Sequence, residues 1–404
     1  MSGLKLSKTR DAPGAALALA AVGLEAEFAL IVDGVQMRPE DLFGDPRGFI
    51  RAPLVHRHGT SYHLPTGAAV YFDTGVIELA TPIVELDRGC MARAGRSLWD
   101  SLHLVRDELD GWEARSGRRA QLSGFSAHYN VSADGSGRDA KRRLNGIAKL
   151  LTYILPAPVM LLAANRESTG VGVRPRGDRI EVTVDFTPSS SLMIAAGTLI
   201  TGIVREVASW PRHTIDALAE HRIPVIEGFE PCAHTSRKGW LARFDCYPEN
   251  PFAAAPGDAL WPVRVDGRLT YWSMRRLARR VFTAFRKPIA SIADPFSFRL
   301  IRSVLSGRAP SLLDLPLRPA AYEDVGRLCQ WEDLFPAHVV AHSRYERVLM
   351  RALAGDRLSL GGESYVPTGI KGWSRIVFRR DVDGQTIVMP FDFLLDHLAQ
   401  WEAR

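Results

Sequence analysis

The chain is short of thiols. Its four cysteines in 404 residues, Cys90, Cys232, Cys246 and Cys329, are widely spaced, with no Cys-x-x-Cys pair. That excludes a zinc ribbon and a disulfide scaffold, and fits a reducing cytoplasm. Ala15 to Val22 is too short for a span and runs straight into strand-like residues, so neither a signal peptide nor a transmembrane helix is expected. No His-Glu-x-x-His motif is present, which removes the commonest zinc-hydrolase signature. There is no internal repeat and no low-complexity tract.

What remains is an ordinary globular composition, 46% hydrophobic and 24% charged, with a formal charge of +6. The length admits one large domain plus a smaller one, or two domains. We expect an arm over 1–18, a catalytic domain over 19–340 and a small α/β unit over 341–404. The basic residues are mostly arginines spread along the chain, which favours anionic small substrates over nucleic acid. One cluster stands out, from Arg275 to Lys287, with apolar residues interleaved at helical spacing. It reads as a solvated helix face or as a seat for an acidic partner.

Coarse patterning predicts strands over 23–34, 67–86 and 122–132, helices over 89–113, 138–154, 190–209 and 338–354, and a hairpin over 170–186. Residues 37–64 read as loop-rich. The last fifty residues read as a strand pair joined at Asp381-Val382-Asp383-Gly384, then a closing helix over 391–402.

Acidic residues sit inside the apolar strands. Glu25 and Glu27 alternate with Leu24, Ala26 and Phe28, so both point to one face. Tyr71 and Asp73 share a face, as do His128 and Asn130, and Glu181, Thr183 and Asp185. Carboxylates converging on one sheet face repel unless a cation or protons neutralise them. Glu25, Glu27, Glu78, His128 and Glu181 therefore form a candidate metal set. Oxygen donors with one imidazole suit Mg²⁺ or Mn²⁺ shared with phosphates. Plainer readings stand beside this one. Glu181 has Arg174 and Arg179 within reach across a hairpin, His128 suits a structural hydrogen bond, and Asp73-Thr74-Gly75 is ordinary turn chemistry.

Gly23-Leu24-Glu25-Ala26-Glu27-Phe28 resembles the strand that opens the glutamine synthetase-like carboxylate–amine ligases. Leu64-Pro65-Thr66-Gly67-Ala68, Tyr71-Phe72-Asp73, Glu78 and Thr81-Pro82 resemble the Pup ligase and depupylase branch. Gly172 to Val182 is similar to the glutamate–cysteine ligases. Between Asp73 and Glu78 the chain lacks the His-Pro of the Pup branch and is one residue shorter, and the branch's later motifs are not evident after residue 210.

The resemblance implies an α+β fold, a curved antiparallel half-barrel with helices on its outer face. It implies ATP and Mg²⁺ or Mn²⁺ on the concave side, and an acyl phosphate attacked by an amine. Glu25, Glu27, Glu78, His128 and Glu181 would hold the metals. Arg174, Arg176 and Arg179 would contact phosphate, and Asp73 would be the base. The substrates would be a carboxylate-bearing molecule and an amine acceptor. A depupylase-like hydrolase of the same fold stays open. So do a non-catalytic interaction protein and an aspartic protease, the last resting on Phe72-Asp73-Thr74-Gly75 alone.

Overall fold

The computed structural model describes residues 19–133, 139–234, 238–265, 267–329 and 342–403. The expected 1–18 arm, the Ser136-Gly137 helix entry and the start of the 338–354 helix lie outside them. The core is a twelve-stranded antiparallel sheet. Its main strands are β1 (Ala21–Val32), β2 (Val55–His58), β3 (Ser61–His63), β4 (Ala69–Asp73), β5 (Val76–Ala80), β6 (Ala120–Ser132), β7 (Gly170–Arg176), β8 (Arg179–Asp185), β9 (Cys232–Ala233) and β10 (Trp240–Arg243). Their spatial order is β9-β10-β7-β8-β6-β1-β5-β4-β3-β2. The segment read as loop-rich thus supplies the last two strands at one edge.

Period-2 patterning explains the central strand. Leu24, Ala26, Phe28 and Leu30 are fully buried, while Glu25 and Glu27 face the other way. Burying each Leu or Phe contributes about 1.5–3 kcal/mol. Helix α1 (Cys90–Ser116) packs behind β1, with Leu98, Leu102, Val105 and Leu109 on its inner stripe. It ends at Gly117, whose φ of +70° suits a residue without a Cβ. Helix α2 (Ser190–Ser209) is capped by the Ser189 side chain and is apolar all round because it is covered on both sides. The sheet lies on one face and the short helices Arg286–Ile292 and Pro295–Leu305 on the other. It is long and apolar enough to cross a membrane, yet here it is a core helix, 89% buried.

The register shifts between Glu27 and Phe28, which pair with Ser126 and Gly124, so Phe125 is an extra residue on β6. Such a bulge bends a strand and deepens its twist. Phe125 is left 60% exposed on the concave side.

A second apolar core gathers Tyr345, Leu349, Phe378 and Trp401 with Ala21 of β1. Helix α3 (Arg344–Leu353) opens with a capping box between Ser343 and Glu346. The expected strand pair is half of a four-stranded antiparallel sheet: β11 (Leu358–Leu360), β12 (Glu363–Lys371), β13 (Arg375–Arg380) and β14 (Thr386–Pro390). The closing helix is two, α4 (Phe391–Asp396) and α5 (Leu398–Glu402), parted at His397. The turn between β12 and β13 carries Trp373 back onto the main sheet, where its ring lies under the Arg57 guanidinium at 4.7 Å.

Candidate active site

Register brings the acidic residues into rows across the concave face. Glu78 of β5 lies directly opposite Glu27, with Ser126 on Glu27's other side and Asp185 beyond it. Glu25 lies opposite His128, which pairs in turn with Thr183. In a third row Asn130, Glu181 and Arg174 succeed one another.

Ligand-capable atoms of Glu25, Glu78 and His128 lie within 4.8 Å of one another, and so do those of Glu27, Asp73 and Glu78. The two groups share Glu78. Neighbours fix each donor. Tyr71 donates to Glu78 Oε1 at 2.5 Å, and Ser126 donates to Glu27 Oε2 at 2.5 Å. His128 stands between the two glutamates, its Nδ1 3.3 Å from Glu25 Oε2 and its Nε2 3.6 Å from Glu27 Oε1.

Burial pushes Glu78 up to about 8, with the charges of Glu25 and Glu27 adding to it and the Tyr71 hydrogen bond opposing. Burial also raises Glu25, but His128 and Arg179 outweigh it and hold the carboxyl below its ordinary value. Burial lowers His128, yet Glu25 and Glu27 overcome that and raise it.

Asp73 ends β4 in a two-residue hairpin, with Thr74 at φ +53° and Gly75 at φ +98°. Positive φ at both centres suits the twist of paired strands. Gly75 N–H donates to Glu40 Oε1 at 2.9 Å, which pins the turn, and Thr74 Oγ1 donates to Asp73 Oδ1 at 2.7 Å. The hairpin directs Asp73 to Glu27 and Glu78 despite the shortened spacing.

Glu181 is placed differently. It is wholly buried and ion-paired to both Arg174 and Arg176, the latter at 2.8 Å. It belongs to neither carboxylate group among the described residues. Two of the three arginines expected at phosphate are thus engaged by a carboxylate, while Arg179 donates to Asn130 Oδ1 at 2.8 Å. Of the basic cluster at 275–287, Arg275 pairs with Asp314 and Arg276 lies over Trp272. Arg279, Arg280, Arg286 and Lys287 are exposed.

Two cavities flank the acidic rows. One of about 930 Å³ is lined by Glu27, Asp73, Phe125, Asp185, Arg243 and Arg318, among others. The other, about 210 Å³, is lined by Glu25, Asn130, Arg179, Ile83 and Trp373. Three residues at the site escaped the sequence reading. Arg57 comes from the edge strand β2, and burial lowers its pKa against the pull of Tyr71, Glu25 and Glu78. Trp373 comes from the small unit, and Arg318 from a loop. No local pattern marks them, since curvature and long-range docking bring them in. Asp185 did carry a signal, sharing its face with Glu181 and Thr183. Burial pushes it up to about 6. His63 is fully buried with Nδ1 3.1 Å from Gly67 O, and burial brings it down to about 3, so it is neutral.

The donor set fits divalent cations. Three carboxylates and one imidazole converge with a fourth carboxylate alongside, and hard oxygen donors are those that Mg²⁺ and Mn²⁺ prefer. Arg57 Nε and Thr183 Oγ1 are buried without a hydrogen-bond partner among the described residues, as groups awaiting a polar ligand would be.

No family model matches the sequence, and no curated protein matches it. Among solved structures, the chain is similar to the Pup ligase PafA, determined in complex with the prokaryotic ubiquitin-like protein Pup. The match has a TM-score of 0.54 at 12% identity and covers 95% of this chain and 92% of that one. GmaS, solved without ligand, matches with a TM-score of 0.30 at 12% identity, over 72% of this chain and 69% of that one. With the curled antiparallel sheet, the helices behind it and near-complete coverage of both chains, this chain shares the fold of the Pup ligase PafA structure.

Proposed function

We propose that the protein is an ATP-dependent carboxylate–amine ligase that forms an amide or isopeptide bond. The observation that carries this reading is the pair of acidic groups sharing Glu78, with Asp73 on the side of the large cavity. Glu25, Glu27, Glu78 and His128 would hold Mg²⁺ or Mn²⁺. When bound, the cations neutralise phosphoryl oxygens, which is most of what phosphoryl transfer asks of a protein.

The chain's own residues do the rest. Tyr71 and Ser126 hold the Glu78 and Glu27 carboxylates in place. Arg57 and Arg179, on the Glu25 side, bind phosphate oxygens. The smaller cavity, with its Trp373 wall, suits a flat base, and the larger one suits the carboxylate and the amine. Asp73 takes the proton from the attacking ammonium at a carboxylate oxygen. Arg174 and Arg176 hold Glu181 and are themselves aligned by it. A protein or peptide carboxylate is within the reading, since PafA was solved with the protein Pup.

The test is ADP release in proportion to amide formed, with glutamate and hydroxylamine as probes, in wild type and Glu27→Gln. ADP and hydroxamate appearing together, and lost in Glu27→Gln, support the ligase. Amide cleavage without net ATP consumption would instead assign the hydrolase of the same fold.

A further inference from the structure

Two of the four cysteines meet in space. Cys232 sits on β9 at the sheet's edge, half-buried, and Cys246 closes a short turn after β10 and is buried. Their Sγ atoms are 2.8 Å apart. Two thiolates on one zinc ion would stand well over 3 Å apart, whereas a disulfide needs about 2.05 Å. The third candidate ligand, Asp245, is exposed and ion-paired with Arg243 at 2.7 Å. The pair is therefore closer to a bond than to a metal site. Cys90 and Cys329 are buried elsewhere, and the Cys329 thiol donates to Pro188 O.

The strand between the two cysteines has a position of consequence. Leu241 pairs with Gly172 of β7 and Arg243 with Gly170, and both Leu241 and Arg243 line the large cavity. Among the described residues, strand β9 pairs with β10 at Cys232 and Ala233, and His234 N–H donates to Gly239 O at 3.1 Å just beyond. We propose that Cys232 and Cys246 form a reversible disulfide that ties this edge ribbon shut and fixes one wall of the large cavity. The inference needs no assumption about the reaction catalysed.

The chemistry closes with a hydroperoxide as oxidant. The half-exposed Cys232 thiolate attacks the peroxide oxygen, giving a sulfenic acid and, after a proton is taken up, water. Cys246 then attacks the sulfenic sulfur, the S–S bond forms and a second water leaves. In total, two thiols and one hydrogen peroxide give one disulfide and two waters. The hydrogen bond with Cys246 pushes Cys232 up to about 11, with burial adding to it, so little thiolate exists at neutral pH. Oxidation should be slow and should quicken as pH rises.

The experiment is peroxide treatment of the full-length chain, then denaturation, alkylation and peptide mass analysis. The expected result is a loss of two of the four alkylable thiols and a linked peptide pair carrying Cys232 and Cys246. Dithiothreitol should restore all four. Cys246→Ser should give no linked peptide, which excludes pairing of Cys232 with another cysteine. Four thiols surviving treatment would overturn the proposal. So would a link to Cys90, Cys329 or a second molecule, or protection that a chelator removes together with bound zinc.

Discussion

The concave face buries carboxylates in two ways. At one end Glu181 has its counter-charge built in, as Arg174 and Arg176 on the neighbouring strand. A few residues away, Glu25 and Glu27 share one histidine, and burial beside them pushes Glu78 up to about 8. Strand, face and chemistry are alike, yet the first arrangement is complete and the second is not. A buried carboxylate that carries its own guanidinium is part of the architecture. The other cluster draws on the nearby charges of Arg57 and Arg179, and on the proposed function it would also take cations from solution, because burying carboxylates otherwise costs several kcal/mol per ion.

The largest effect is expected at Asp73. Asp73→Asn should slow amide formation with an ammonium acceptor by about 10²–10⁴-fold while ATP binding persists, since loss of a general base costs that much. Hydroxylamine is neutral at pH 7 and needs no such base, so the variant's deficit should shrink with it. An equal loss with both acceptors would make Asp73 a structural residue of the turn.

Next comes the completed pair. Glu181→Ala leaves the Arg174 guanidinium buried and unneutralised, and should lower urea stability by about 3–5 kcal/mol. Mn²⁺ binding, followed by its electron paramagnetic resonance signal, should be retained. Lost metal binding in a stably folded variant would move Glu181 into the cation set.

Glu78 gives the opposite behaviour. Its folded-state value of about 8 lies above the ordinary 4.5, so the folded protein holds an extra proton between those values. Unliganded stability should therefore fall as pH rises through that window. Over the same window Mn²⁺ should bind more tightly, because the cation displaces the proton. Glu78→Gln should flatten the unliganded profile and abolish the stabilisation by ATP with Mg²⁺. That stabilisation is about 2.7 kcal/mol at a hundredfold excess over Kd. Thermal melts at pH 5, 6.5 and 8 with and without nucleotide check both halves.

The smallest effect lies in the turn. Thr74 is β-branched at φ +53°, a conformation that costs about 1–2 kcal/mol. Thr74→Asn creates the Asn-Gly pair that this hairpin prefers and should raise stability by about 1 kcal/mol. A drop in melting temperature would mean that the Thr74–Asp73 hydrogen bond outweighs the strain.

Much of the centre was legible because period 2 is a strong signal. The alternation around Glu25 and Glu27, the Asp73-Thr74-Gly75 turn and the hairpin at Arg176-Gly177-Asp178 fix local geometry by themselves. The partner of Glu181 was legible in part, since Arg174 was one of the two arginines expected there and Arg176 was not. Arg179 lies two residues from Glu181 and Arg174 seven, and only the hairpin register sets Arg174 opposite. Arg57 and Trp373 were beyond reach, since sheet curvature and docking of the small unit bring them in. The missing strand pair of that unit did have a signal. Gly361-Gly362 joins β11 to β12 with φ of +59° and +83°, the values of a tight hairpin.

Phe125 gives strand β6 two reading frames. Before it, even-numbered residues, Ala120, Leu122 and Gly124, face the helices; after it, odd-numbered Ala127, Tyr129 and Val131 do. The single surplus residue is the comma between them. Replacing Phe125 alters only what stands at the cavity mouth. Deleting it would join Gly124 to Ser126 in plain alternation, so that Ser126, His128 and Asn130 keep the concave face and Tyr129 the core, while the local bend and the ring at the cavity mouth are lost. The surplus residue thus sets the bend of the strand and the width of the cavity mouth, and leaves the facing of the metal-side residues to the plain alternation on either side of it.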